Sequence, residues 1–242
     1  SGYWSTQKLP LMQVLDPKAA GEFLTERLAS AGVDDAEAKF LLDAAGMTPS
    51  PETGRAVLKF AANGRAKPEL RRSALQKLDT NLSSMWNGLA GDEQWAAALR
   101  VLLADKSLQL ATLDLIDKHG LSAFGTDAQQ LASSGAVNTA VRQRAVAVAA
   151  KLKPNGISDT LGTLLSDKQP AVRQAALAAL VDQQDMKTLK AVLSSAGAKF
   201  SAEVQSQTVE RLMTSTGGAL VLLRMIEAKG LSTKLQEDIV AQ

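Results

Sequence analysis

The sequence predicts an all-α fold, a right-handed α-α superhelix of about seven helical hairpins. Apolar residues recur at helical spacing along almost the whole chain. One hairpin-sized unit returns every ~31–38 residues. The chain of 242 residues is 45% hydrophobic but only 4% aromatic, so Ala, Leu and Val supply most of the apolar mass. Such a composition favours thin, repeated layers of closely packed helices.

The first residues, 1–16, are the least repeat-like part of the chain, and we predict an irregular N-terminal segment there. Asp16 and Pro17 have the residue types of a helix cap and a first helical position. The first regular helix is therefore expected to begin at Pro17. No linker or composition shift interrupts the remainder, so residues 1–242 are predicted to form one repeat domain.

The repeat is clearest in SDKQPAVRQAALAAL, residues 166–180. Pro170 suits the first position of a helix, and Val172, Ala176 and Leu180 then share one face of it. Similar apolar anchors begin the other predicted second helices, at Ala36, Leu70, Leu108, Val141, Val204 and Leu235. The longest interval between anchors contains NLSSMWNGLAGDE, residues 81–93, where we predict an irregular loop.

The segment LLSDKQPAVRQAALAAL resembles a HEAT repeat, with Asp167 in the turn and Val172-Arg173 at the start of the second helix. Arg71 and Arg142 occupy the position of Arg173 in two other units, whereas Gln109 and Gln205 replace it elsewhere. The resemblance implies a non-catalytic interaction scaffold or an interdomain spacer. Its partners would be another protein or flanking domains of the same chain, bound on an extended concave surface.

A second resemblance concerns STGGALVLLRMIEAKGLSTKLQED, residues 215–238. This segment is similar to the last helical repeats of large multidomain proteins from planctomycete-type bacteria. In that group a dehydrogenase-like β-propeller precedes the helical region and a cytochrome c domain follows it. The resemblance implies a spacer between two redox domains of an exported, extracytoplasmic protein.

The arginines at the shared repeat position have two interpretations. Arg71, Arg142 and Arg173 could form a ladder that binds anions on the concave surface. Alternatively, each arginine could bond the turn aspartate of its own or a neighbouring repeat. The structural interpretation is favoured, and it predicts that Arg173 bonds the turn that contains Asp167.

Trp86 and Trp95 flank the predicted irregular loop, with Asp92 between them. They could be loop or concave-surface contacts, as in a HEAT-like group of DNA glycosylases that holds damaged DNA with Trp, Asp and Arg. The alternative is that both tryptophans fill an uneven junction between repeats. A net charge of +2 makes nucleic acid an unfavourable partner.

Residues with catalytic or metal-binding potential are few. The chain has no cysteine and one histidine, His119, which precedes Gly120 as it would at a helix C-terminus. We therefore predict no metal, no cofactor and no catalysis. No apolar run approaches the roughly 18 residues of a membrane span.

Overall fold

The computed structural model describes residues 2–30, 32–89, 93–194 and 200–228, together with residues 230, 231, 235 and 239. These residues form fourteen α-helices joined by turns, and their only β-type pairing is an isolated antiparallel bridge between Ser194 and Leu231. The prediction of an all-α fold built from helical hairpins is confirmed. The helices divide into two compact units, Ser1–Ala123 and Phe124–Gln242.

Unit 1 contains seven helices in two layers among its described residues. One layer consists of the first helices of successive hairpins, α2, α4 and α6, and the other consists of α1, α3, α5 and α7. The bounds are α1 Gly2–Leu15, α2 Pro17–Ala29, α3 Asp35–Ala45, α4 Pro51–Ala62, α5 Pro68–Asn81, α6 Glu93–Ala104 and α7 Gln109–Lys118.

Unit 2 repeats this arrangement. Its first helices α8, α10 and α12 lie side by side, its second helices α9, α11 and α13 form the facing layer, and α14 packs against α13. The bounds are α8 Gly125–Ser133, α9 Thr139–Leu152, α10 Ile157–Leu164, α11 Pro170–Asp182, α12 Met186–Leu193, α13 Ala202–Met213 and α14 Thr216–Glu227.

The N-terminal segment differs from the prediction. Residues 1–16 were expected to be irregular, but Gly2–Leu15 is helical despite Pro10 within it. Leu9 is buried, and the side chain of Gln13 donates to the carbonyl of Ala44 and to the hydroxyl of Thr48. The contacts of α1 with α3 and the following turn therefore stabilise a helix that has no repeat pattern in its sequence.

The predicted starts and faces of the second helices mostly agree with the structure. Pro170 is the first residue of α11, and Val172, Ala176 and Leu180 are fully buried. Two anchors differ: Leu70 is only half-buried, and Ala36 is exposed because α3 buries the face that contains Ala38 instead. The predicted spacing therefore identifies which face of a helix is buried more reliably than it identifies the first buried residue of that helix.

The predicted irregular connection is present between α5 and α6. Consecutive turns occupy residues 82–88, and residues 90–92, which include Asp92, lie outside the described residues. No described helix combines the length and apolar character that a bilayer crossing requires.

Candidate functional site

Arg71 lies in the first turn of the second helix α5 and is almost completely buried, at 4% exposure. Its Nε donates to the carbonyl oxygen of Ala61, near the end of α4, at 2.6 Å. Its Nη1 donates to Oδ2 of Asp105, in the turn of the next hairpin, at 2.6 Å. One guanidinium thus joins the first helix of its own hairpin to the turn of the following hairpin. We call this arrangement the arginine clasp.

Unit 2 has the same clasp around Arg142, which is 5% exposed. Its Nε donates to the carbonyl oxygen of Ala132, near the end of α8, at 2.9 Å. Its two terminal nitrogens bond both carboxylate oxygens of Asp167, in the turn between α10 and α11. Such a bidentate pair fixes both the distance and the plane of the two groups.

Both turn aspartates are held in their ionised form. Hydrogen bonds from the side chain and backbone of Ser107, and then from Arg71, lower the pKa of Asp105 to about 2. Hydrogen bonds from Arg142 and from the backbone N–H of Gln169 hold the pKa of Asp167 below its usual range, against the opposing effect of burial. Each aspartate therefore also organises the turn that precedes a second helix.

Where glutamine replaces the arginine, only the hydrogen bond to the backbone carbonyl of the first helix forms. Gln109 donates to the carbonyl of Leu103 near the end of α6, at 2.9 Å. Gln205 donates to the carbonyl of Val192 near the end of α12, at 3.0 Å. The uncharged amide satisfies the backbone carbonyl of the first helix, and neither bond requires a turn carboxylate.

Arg173 bonds the predicted turn through a different atom. Its Nη1 donates to the backbone carbonyl of Asp167 at 3.1 Å, while the Asp167 carboxylate pairs with Arg142. Its Nη2 lies 3.2 Å from Oε1 of Glu203, at the start of α13. The predicted pair of Asp167 and Arg173 is therefore a backbone contact, and the carboxylate belongs to the preceding repeat's arginine.

Four residues that the sequence suggested as surface or loop contacts are buried in the structure. Arg71, Arg142, Trp86 and Trp95 have exposures of 4%, 5%, 0% and 2%. The arginines are enclosed because their bonding partners lie within the two helix layers. A partner or an anion in solution has no access to these four side chains in the folded chain.

Trp86 fills the irregular junction between α5 and α6. Its indole N–H donates to the carbonyl of Thr48 at 3.0 Å. Its ring lies against Gly54 of α4, where an added Cβ would come within 2.9 Å of Trp86 Cγ and 2.5 Å of a Leu89 methyl group. Only glycine permits this close approach. The structure thus matches the interpretation of Trp86 as a core side chain.

His119 ends α7 as predicted and is followed by Gly120 with a positive φ of 60°. Its ring nitrogens lie 2.8 Å from Ser83 Oγ and 3.1 Å from the backbone carbonyl of Asp79. The neighbouring Lys118 also bonds Asp79. These contacts fasten the end of α7 to the end of α5. In the described part of the chain, no cluster of His, Asp and Glu is arranged to hold a metal ion.

An open groove of about 560 Å³ crosses the second helices of three successive hairpins in unit 2. Its lining includes an amide from each helix and small residues in the middle. We call it the amide groove; its main lining residues are Gln143 of α9, Gln174, Ala175 and Ala178 of α11, and Gln207 and Arg211 of α13.

The side chains of the amide groove are available to solvent. Gln143, Gln174 and Arg211 are exposed and Gln207 is half-buried. The sequence analysis did not identify these residues as functional. A signal was present, because the tetrapeptide AVRQ occurs at both 140–143 and 171–174 and places a glutamine directly after each arginine.

Comparison with protein families agrees with this architecture. Residues 128–213 match the family model for HEAT repeats. The matched segment contains α9, α11 and α13, and hence the clasp of unit 2 and the amide groove. Neither the curated proteins nor the solved structures gave a significant match. The family match and the helical architecture together support a HEAT-like helical solenoid.

Proposed function

We propose that the chain is a non-catalytic scaffold that binds a protein partner on the second helices of its hairpins. The observation that supports this is the amide groove, where three successive hairpins of unit 2 present polar side chains to a continuous open surface. Repeat stacks use such surfaces because each added hairpin extends the contact without a new core.

The distribution of chemically capable side chains supports a non-catalytic role. Arg71, Arg142 and His119 are all bonded inside the protein rather than directed into a shared cavity. The glycosylase alternative requires exposed tryptophan and arginine on one face, whereas Trp86 and Trp95 are buried. The interior roles of these residues weigh against that alternative.

A second surface supports the role of an interdomain spacer. Leu11, Val14 and Leu15 on α1 are 62%, 80% and 80% exposed and lie on one helical face. Exposed apolar faces of this kind commonly pack against another protein or domain. We propose that a flanking domain covers it, and that the flanking domains are the propeller and cytochrome c domains implied by the likeness of residues 215–238. Reading the open reading frame on both sides of this segment tests that context.

Affinity capture with purified variants tests the scaffold role. The wild-type chain would be compared with Gln143→Glu/Gln174→Glu/Gln207→Glu and with a control altered on a first helix, Gln130→Glu. Proteins retained by the wild type and the control but not by the triple variant are the expected result. Equal capture by all three chains, or release of bases from alkylated DNA by the pure protein, would contradict the proposal.

A further inference from the structure

The amide groove matches the hydrogen-bonding needs of an extended polypeptide. A peptide backbone offers alternating N–H donors and C=O acceptors, and a glutamine amide can satisfy either one. Gln143, Gln174 and Gln207 supply such an amide from each of three neighbouring helices. The Gln207 nitrogen also donates to Oε1 of Glu203 at 3.2 Å, which leaves its carbonyl oxygen and second N–H for a ligand. Their neutrality also fits an uncharged main chain better than a phosphate backbone, which requires several cations.

The spacing of the helices fits the same ligand. Packed helices lie about 8–10 Å apart, and an extended chain advances about 3.3 Å per residue. One amide is therefore available for roughly every third residue of a peptide that runs across the helices. Ala175 and Ala178 in the centre of the groove leave room for a backbone to approach closely.

Charge distinguishes the two ends of the groove. The α9 end contributes neutral Gln143, whereas α13 contributes Arg211 beside Glu210. Both charged residues are exposed, and neither forms an ion pair with another described residue. An exposed guanidinium binds a carboxylate in a bidentate manner, and this would fix the direction in which a peptide lies.

We propose that the amide groove binds an extended peptide segment with an uncharged centre and a carboxylate at the end that meets Arg211. This inference rests on the proposed scaffold function and specifies its partner as an unfolded segment rather than a folded surface. Glu210 would tune the site by repelling carboxylates that are placed out of register.

A displayed library of random twelve-residue peptides, selected against the full chain, tests the inference. Phage that bind Gln143→Ala/Gln174→Ala/Gln207→Ala would first be removed from the library. We expect the selected peptides to share an uncharged centre and an Asp, Glu or C-terminal carboxylate at one end. Synthetic versions would then be measured by fluorescence anisotropy.

Each Gln→Ala change should weaken binding about 3- to 10-fold, since one neutral hydrogen bond is lost. Arg211→Gln should weaken it about 10-fold, and neutralising the peptide carboxylate should have little further effect in that variant. N-methylation of central peptide amides should also weaken binding, because the main-chain donors are removed. Glu210→Gln should leave binding unchanged or tighten it.

Matched controls on other helices are Gln130→Ala on α8 and Arg224→Gln on α14, both of which should bind like wild type. Circular dichroism of every variant checks that unit 2 remains folded. Failure to enrich any peptide, or equal binding to the triple variant, would overturn the inference. If the triple variant nevertheless loses captured folded proteins, the scaffold function stands and the extended-peptide ligand does not.

Discussion

The arginine clasps of the two units use the same kinds of acceptor, although only the clasp of unit 2 lies within the HEAT family match, residues 128–213. Arg71 and Arg142 both reach a carbonyl near the end of the preceding helix and an aspartate in the following turn. The clasp therefore depends on one helical position and two fixed acceptors, not on a regular sequence pattern around them. The same set of hydrogen bonds therefore forms in unit 1, where the sequence departs further from the repeat pattern.

The units differ in how their hairpins are joined. Between α8 and α12 of unit 2, connections of three to five residues separate successive helices, and alanines such as Ala145 and Ala176 are buried between the helices. In unit 1 a long connection follows α5, and Trp86 fills the resulting space against Gly54. The comparison shows two solutions to one packing problem: small residues where the spacing is regular, and one large residue where it is not.

Removing Trp86 should have the largest effect and should be confined to unit 1. Trp86→Ala is expected to cost about 3–5 kcal/mol, because a buried ring is lost and the Thr48 carbonyl loses its donor. Gly54→Ala should also destabilise wild type by about 1–3 kcal/mol through overpacking. In the Trp86→Ala background the same change should cost less, and what remains comes from the Leu89 methyl group, which lies 2.5 Å from the added Cβ. Urea unfolding followed by circular dichroism measures this cycle, and simple additivity would disprove the contact.

Breaking either clasp should cost about 2–4 kcal/mol, because a turn aspartate loses its partner and a buried carbonyl loses its donor. Arg71→Met and Arg142→Met should therefore have similar effects if the clasps are equivalent. All three tryptophans belong to unit 1, so fluorescence reports unit 1 while amide hydrogen exchange in α9 reports unit 2. Arg72→Gln, on the exposed face of α5, is the control and should melt like wild type. A large loss of stability in only one of the two variants would show that the two clasps are not energetically equivalent.

The hydrogen bonds that Asp105 accepts from Ser107, and then from Arg71, should make the stability of the protein depend on pH in the acidic range. The pKa of Asp105 is about 2 in the folded chain, below its ordinary value of 3.8. Its contribution is therefore complete above about pH 5 and is lost as the pH falls from about 4 towards 2, amounting to ~1–2 kcal/mol for this partly exposed group. Urea unfolding at several pH values measures the slope. The Asp105→Asn variant should be less stable than wild type at pH 7, and its free energy of unfolding should change less with pH. If the change with pH is the same as in wild type, other carboxylates are responsible for it.

Arg173→Gln should have the smallest effect, about 0.5–1 kcal/mol, because its ion-pair partner Glu203 is 59% exposed. The variant keeps the Arg142 clasp, so the pairing of Asp167 is not disturbed. In denaturant unfolding, the Arg173→Gln variant should have a clearly larger free energy of unfolding than the Arg142→Met variant. A loss as large as that of Arg142→Met would mean that the two arginines share one role.

Much of the fold could be predicted from the sequence, because the residues that start and cap its helices act on their immediate neighbours in the chain. The start of α11 at Pro170 follows from a fixed φ and a missing N–H. The cap at Asp16 likewise rests on a local bond, because its side chain accepts from the backbone N–H of Ala19. The helix over Gly2–Leu15 escaped prediction because its stability comes from contacts with another helix.

The sequence by itself determined the helical hairpins, their approximate period and most of their buried faces, since helix periodicity and capping depend on neighbouring residues. Only the tertiary structure decided that Asp167 pairs with Arg142 rather than Arg173, and that Trp86 and Trp95 are interior. It also brought Gln143, Gln174 and Gln207 to one groove. The physical reason is that pairing and burial depend on which helices lie side by side, and sequence distance within a repeat does not specify that.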